Sequence, residues 1–155
     1  TLRGVLSARS MAELTLFQKI LSGQIPGNFV ARGENWGAFL DVFPRSEGHT
    51  LVVPSKPAKR INDLSNLELS DLFEGLKHTQ AVLSRYFETN DFTVVIHDGP
   101  LAGQEIPHLH IHVIPRLEGD AGSALPAMFP RANPPNPPDF ASLSELCQKI
   151  KGASQ

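Results

Sequence analysis

The chain has 155 residues, 41% of them hydrophobic, and a formal net charge of −2. That length sustains a buried core in one domain, and the slightly acidic balance gives no electrostatic footprint for nucleic acid. The single cysteine, Cys147, excludes an intrachain disulfide and a paired-cysteine metal site, and no apolar run reaches the length of a membrane span.

Residues 1–13 are set apart as a leader. Arg3, Ser7, Arg9 and Ser10 occur there with no acid before Glu13. This fits either the remnant of a mitochondrial presequence or an unstructured stretch ahead of Met11. The expected location is cytoplasmic or nuclear, with the mitochondrion as the alternative. Leu16 to Leu21 reads as a short helix ended by Gly23 and Pro26. Phe29–Ala31, Trp36–Val42 and Thr50–Val53 read as strands, with Pro44 and Gly48 in the turn between the last two. Ser65 and Glu68 form a capping-box pattern that opens a helix of about twenty residues. Its apolar positions Leu69, Leu72, Phe73, Leu76, Leu83, Tyr86 and Phe87 recur at helical spacing. Phe92 to His97 is a near-continuous apolar strand, of which Phe92 to Ile96 are too apolar to sit exposed, and Asp98 to Gln104 is a glycine-containing loop. Pro130, Pro134, Pro135, Pro137 and Pro138 crowd nine residues of an extended tail, with a closing helix expected from Ser142 to Lys151. The order of elements predicts an α+β domain over residues 14–117 with an antiparallel sheet and one long helix, followed by a proline-rich tail over 118–155.

The segment His108-Leu109-His110-Ile111-His112-Val113-Ile114 holds three of the six histidines, each separated by one aliphatic residue. Period-two alternation is strand chemistry. Leu109, Ile111 and Val113 then face a core, and the imidazoles line the other face roughly 7 Å apart. Three readings stand side by side. The histidines are satisfied polar groups on a half-exposed strand, or they are zinc ligands of the His-x-His type, or one is a nucleophile that attacks phosphorus and carries a covalent intermediate. The loop before the strand supports the last. Gly103 has no Cβ, so a phosphate can approach its backbone N–H closely, and Gln104 offers a neutral donor beside it.

The stretch from Asp98-Gly99-Pro100 through Gly103-Gln104 to His108-Leu109-His110-Ile111-His112-Val113-Ile114-Pro115-Arg116 closely resembles the signature of the histidine triad (HIT) family. Phe39–Pro44, Gly48–Pro54 and the N-terminal Leu16–Ile20 with Gln24–Pro26 match as well, so the resemblance covers about Leu16 to Arg116. It implies a HIT-like α+β fold, a homodimer, and a nucleotide hydrolase or transferase that cleaves at the α-phosphate of a purine nucleotide with no metal or other cofactor. It implies His110 as the nucleophile, His112 and His49 around it, and His108 nearest the leaving group. It also implies Asp41 as the acceptor of the ribose hydroxyls, which suits a carboxylate facing two vicinal donors. Phe17, Ile20, Phe39, Val42 and Leu51 match the base pocket, and Gly103 and Gln104 the phosphate loop. Two positions depart from the commoner pattern: His97, where Asn or Gln is frequent, and Glu105, where many members carry Ser or Thr. A carboxylate at 105 would repel phosphate and suit an amine leaving group. A nucleoside phosphoramidase releasing AMP and an amine is therefore the expected activity. The alternatives are a dinucleoside polyphosphate hydrolase, as in the fragile-histidine-triad branch, or a non-catalytic nucleotide sensor. Zinc-carrying members use cysteines near the N-terminal helix. The matching positions here are Thr15 and Gln18, so no structural zinc is implied.

Overall fold

The structure, a computed structural model, describes residues 14–120 and 128–153. They fall into two compact units that divide after Ala121. The leader expected over residues 1–13 lies outside the described residues.

In the first unit, α1 spans Leu16–Leu21. A six-residue helix has little cooperative stability of its own, and Thr15 supplies what the sequence lacks. Its hydroxyl accepts the Gln18 N–H while the Gln18 side chain accepts the Thr15 N–H, a closed capping box. Strands β1 (Phe29–Arg32), β2 (Trp36–Leu40) and β3 (Thr50–Pro54) follow, then α2 (Asn66–Phe87), β4 (Phe92–Val95) and β5 (Ile111–Pro115). The five strands form one antiparallel sheet in the order β1-β2-β3-β5-β4. The histidine strand is thus inserted beside β3, and β4 is an edge.

Alternation divides the apolar residues between the two faces of the sheet. Ala38, Val52, Leu109, Ile111 and Val113 pack with Leu72, Leu76 and Leu83 of α2. Phe39, Leu51 and Val53 pack with Phe17 and Ile20 of α1. Neighbouring residues of β3 enter opposite clusters, so every residue of that strand is buried. At roughly 1.5–3 kcal/mol for each large aliphatic side chain, these two clusters hold the sheet between its helices. The capping box of Ser65 and Glu68 is present at the start of α2. The buried stripe of α2 is Leu72, Gly75, Leu76, Thr79 and Leu83. Gly75 is needed there because a Cβ would lie 2.5 Å from the Trp36 ring.

Some expectations change. Phe73 and Tyr86 are 47% and 75% exposed, because they stand off the stripe that faces the sheet. The edge strand β4 leaves Val94 41% exposed, so that segment is less enclosed than its composition suggests. β2 ends at Leu40, which puts Asp41 and Val42 in the following turn. The histidine ladder begins only at Ile111; ahead of it the Leu109 N–H donates to the Ala58 carbonyl instead of a neighbouring strand.

In the second unit, α3 runs Phe140–Ala153 where Ser142–Lys151 was expected, and it buries none of its own residues. Asp139 starts it, accepting from the Ser142 N–H and hydroxyl. Among the described residues no helix is long and apolar enough to cross a membrane.

Candidate active site

The strand pairing assembles the site. Leu51 of β3 pairs with His112 of β5, and Val95 of β4 pairs with His112 from the other side. His49, one step before β3, therefore reaches His112 although 63 residues separate them. Three rings gather around that of His112, tilted or edge-on to it: His49 at 5.2 Å, His110 at 5.0 Å and His97 at 5.4 Å between centroids. Phe17 of α1 lies edge-on to His110 at 5.1 Å and to His108 at 5.6 Å.

Backbone partners fix the proton on each ring, since a nitrogen facing a carbonyl must carry hydrogen and one facing an N–H must not. His110 Nδ1 lies 2.8 Å from the His108 carbonyl, so Nδ1 donates and Nε2 holds a free lone pair. The Arg45 N–H donates to His49 Nδ1 at 3.1 Å, which places the His49 proton on Nε2. That proton is donated to His112 Nδ1 at 2.9 Å, leaving His112 with an Nε2–H to offer outward. His97 Nδ1 donates to the Ala102 carbonyl at 2.7 Å.

His49, His108, His110 and His112 sit below the ordinary imidazole pKa. Burial is the main cause for His49, His108 and His110. His112 is pushed down to about 4 by burial first, then by His110, His49 and His97. These four rings are held toward the neutral form, which is the state in which an imidazole is a nucleophile.

His108 is placed differently from the expectation that it stands nearest the leaving group. It is 0% exposed, and both ring nitrogens are bonded: Nε2 donates to the Pro54 carbonyl at 2.8 Å and Nδ1 faces the Thr15 hydroxyl at 2.6 Å. No nitrogen is left for a leaving group. Gln104 lies in the loop beside Gly103. Its Nε2 donates to the Lys59 carbonyl at 2.7 Å and its Oε1 accepts the Gly99 N–H at 3.0 Å, so the amide staples the loop. Gly103 turns that loop at φ +97°, a conformation few other residues adopt. A Cβ there would meet His97 at 3.4 Å, so the loop backbone lies close against the histidine row.

Phe17, Ile20, Phe39 and Leu51 come together as one buried cluster beside His110, whereas Val42 is 79% exposed on the turn after β2. Asp41 accepts the Phe43 N–H on Oδ1 and holds Oδ2 3.6 Å from His49 Nε2. Glu105 is exposed, and among the described residues no hydrogen bond or ion pair holds it. Asp41, His49 and His112 present ligand-type atoms within 4.8 Å of one another. The Arg45 N–H occupies the Nδ1 lone pair of His49 and leaves the proton on Nε2, so this ring as bonded has no lone pair for a cation. Thr15, the Arg45 amide and the Pro54 carbonyl are the participants that sequence reasoning missed. Thr15 and the Pro54 carbonyl reach His108 from 93 and 54 residues away, with no local signal, and the Arg45 amide, 4 residues from His49, is a backbone group that no side-chain type marks.

The fold and the row define a class: an α+β domain that presents neutral, tautomer-ordered histidines on a central strand beside a glycine loop. The HIT domain model matches residues 22–119, and the chain belongs to the HIT domain family. It is 42% identical over 107 residues to an uncharacterized HIT-like protein of Methanocaldococcus jannaschii, covering 69% of this chain and 82% of that one. It is 40% identical over 83 residues to a bis(5′-nucleosyl)-tetraphosphatase (asymmetrical) of Schizosaccharomyces pombe, covering 54% of this chain and 46% of that enzyme. The chain thus matches less than half the length of the yeast enzyme. A HIT family protein from Bacillus anthracis superposes with a TM-score of 0.72 at 28% identity, covering 91% of this chain and 97% of the other.

Proposed function

We propose that the protein hydrolyses a purine nucleotide at its α-phosphate through a nucleotidyl-His110 intermediate. The observation that carries this reading is the His110 Nδ1–H bond to the His108 carbonyl, which leaves Nε2 unprotonated and aimed away from the backbone. Base and ribose fit the ends of the same row, with Phe17, Ile20, Phe39, Leu51 and the exposed Val42 as apolar surface and Asp41 Oδ2 as acceptor for the ribose hydroxyls. Nε2 attacks the α-phosphorus, a P–N bond forms, and the bond to the leaving group breaks. The His112 Nε2–H faces the growing negative charge, a contribution of roughly 3–4 kcal/mol for a well-placed donor. Water then attacks the phosphorus, the P–N bond breaks, and a 5′-monophosphate leaves with His110 restored.

For the leaving group, a dinucleoside polyphosphate is favoured over the phosphoramidate. The case for an amine rested on Glu105 repelling phosphate, but that side chain is exposed. In water-like surroundings its repulsion of a charge 4 Å away is only about 1 kcal/mol. The yeast tetraphosphatase and a bis(5′-adenosyl)-triphosphatase of Dictyostelium discoideum, 36% identical over 83 residues, lend the same support. The phosphoramidase reading keeps Glu105 as a counter-charge for a departing ammonium. Turnover of diadenosine triphosphate and adenosine 5′-phosphoramidate should be compared side by side, with protein quenched and kept in alkali, where a P–N bond survives, weighed for an added nucleotidyl group. His110→Ala is expected to lose turnover and the adduct together; retained turnover in that variant refutes the covalent route.

A homodimer is part of the same proposal. The edge strand β4 presents unpaired backbone groups, and α2 presents Phe73 and Tyr86 to solvent. Light scattering that gives one chain's mass at micromolar concentration would reject it.

A further inference from the structure

We infer that Thr15, at the N-cap of α1, is a positioning residue for the nucleophile, acting through the buried ring of His108. The inference rests on His110 being the nucleophile. Both ring nitrogens of His108 have a partner. His108 Nε2 faces the Pro54 carbonyl at 2.8 Å, and a carbonyl only accepts, so the His108 proton is on Nε2. Nδ1 is then an acceptor, and the 2.6 Å contact with Thr15 Oγ1 requires the hydroxyl to donate. The same oxygen accepts the Gln18 N–H at 3.1 Å, so Thr15 is spent in both directions. His108 is 0% exposed, and water cannot replace either partner at no cost.

This matters for chemistry because the backbone carbonyl of the same residue, His108, receives the His110 Nδ1–H at 2.8 Å. The ring of His108 is pinned at Thr15 on one side and at the end of β3 on the other. The carbonyl is thereby held where it selects the His110 tautomer with a bare Nε2. Without the hydroxyl, His108 Nδ1 is a buried acceptor with no donor. The ring turns or exchanges its proton, the carbonyl shifts, and His110 divides between a nucleophilic tautomer and one that holds hydrogen on Nε2. α1 thus carries an element of the catalytic apparatus as well as a wall of the apolar cluster.

Three variants separate this role from simple helix capping. Thr15→Ser keeps donor and cap. Thr15→Asp keeps the cap, since a carboxylate accepts the Gln18 N–H, but it cannot donate to His108. Thr15→Val keeps shape and loses both. The expected results are near wild-type turnover for Thr15→Ser and a fall in kcat for Thr15→Asp and Thr15→Val. A small misplacement of the attacking atom sets that fall on the order of tenfold to a hundredfold. The KM for diadenosine triphosphate or adenosine 5′-phosphoramidate should move little. Long-range 15N–1H spectra of the imidazoles should show His108 protonated on Nε2 and His110 on Nδ1 in the wild type and Thr15→Ser. Mixed His110 signals are expected in Thr15→Asp. Wild-type kcat and an unchanged His110 tautomer in Thr15→Asp overturn the inference, as does an equal loss in Thr15→Ser. If His110→Ala stays active, the covalent reading itself has failed, which is a different result from an active Thr15→Asp beside an inactive His110→Ala.

Discussion

Acidification should unfold this protein from its histidine row before its surface carboxylates are neutralised. The sign follows from the direction of the shifts. His49, His108, His110 and His112 all have folded-state pKa values below the unfolded value of 6.5, with burial the largest cause in each. A depressed pKa means that between the two values the unfolded chain binds protons that the folded chain refuses. Stability is complete above the unfolded pKa and falls as the pH drops toward the folded one. For His112, pushed down to about 4, the gap to 6.5 corresponds to about 3 kcal/mol across that window. The other three rings add in the same direction. That is a large share of the 5–15 kcal/mol typical of a domain. The assay is urea unfolding at half-unit steps from pH 7.5 to 4.5, for the wild type and for His112→Gln. The wild-type midpoint should fall steeply below pH 6.5, and the variant's curve should be flatter by one proton. A wild-type stability that is level or rising from pH 7 to 4.5, or a directly titrated His112 near 6.5, would refute the argument that burial holds these rings neutral.

Two further outcomes are expected. Leu109→Ala removes a side chain that is 1% exposed in the larger core cluster and should cost about 2–5 kcal/mol in chemical denaturation, while the flanking histidines stay in sequence where they were. Asp41→Asn replaces the acceptor 3.6 Å from His49 Nε2 and should raise KM for a ribonucleotide substrate with a smaller change for its 2′,3′-dideoxy analogue, measured by steady-state kinetics; equal effects on both substrates would remove Asp41 from ribose binding.

Much of this protein is legible in its sequence because the deciding patterns are local. Alternation at His108–Ile114 predicts that Leu109, Ile111 and Val113 face one side and the imidazoles the other, and those three aliphatic residues are buried in one cluster. A strand's side chains alternate whatever surrounds it, so no tertiary knowledge is needed. The capping box at Ser65–Glu68 is likewise a contact across one turn of chain, and it is present. The helical stripe of α2 was legible only in part. The apolar residues Phe73 and Tyr86 lie outside the buried arc, and which arc faces the sheet is settled by packing with Trp36 at Gly75 rather than by composition.

What only the tertiary structure decided is the part each polar group takes. An imidazole, an amide and a hydroxyl each accept several partners, and the sequence does not choose among them. Gln104, next to Gly103, reads as a neutral donor, and only the fold shows that the Lys59 carbonyl, 45 residues away, takes one of its Nε2 hydrogens. His108 reads as the histidine nearest the leaving group, and only the fold shows Thr15 and Pro54 bonded to both its nitrogens. The triad names the chemistry because alternation is a property of the backbone. For His108 and His112 the proton is assigned by atoms that chain folding brings within 3 Å from positions 54 to 93 residues away, whereas His110 Nε2 is left free by the His108 carbonyl, 2 residues away, whose orientation the fold sets.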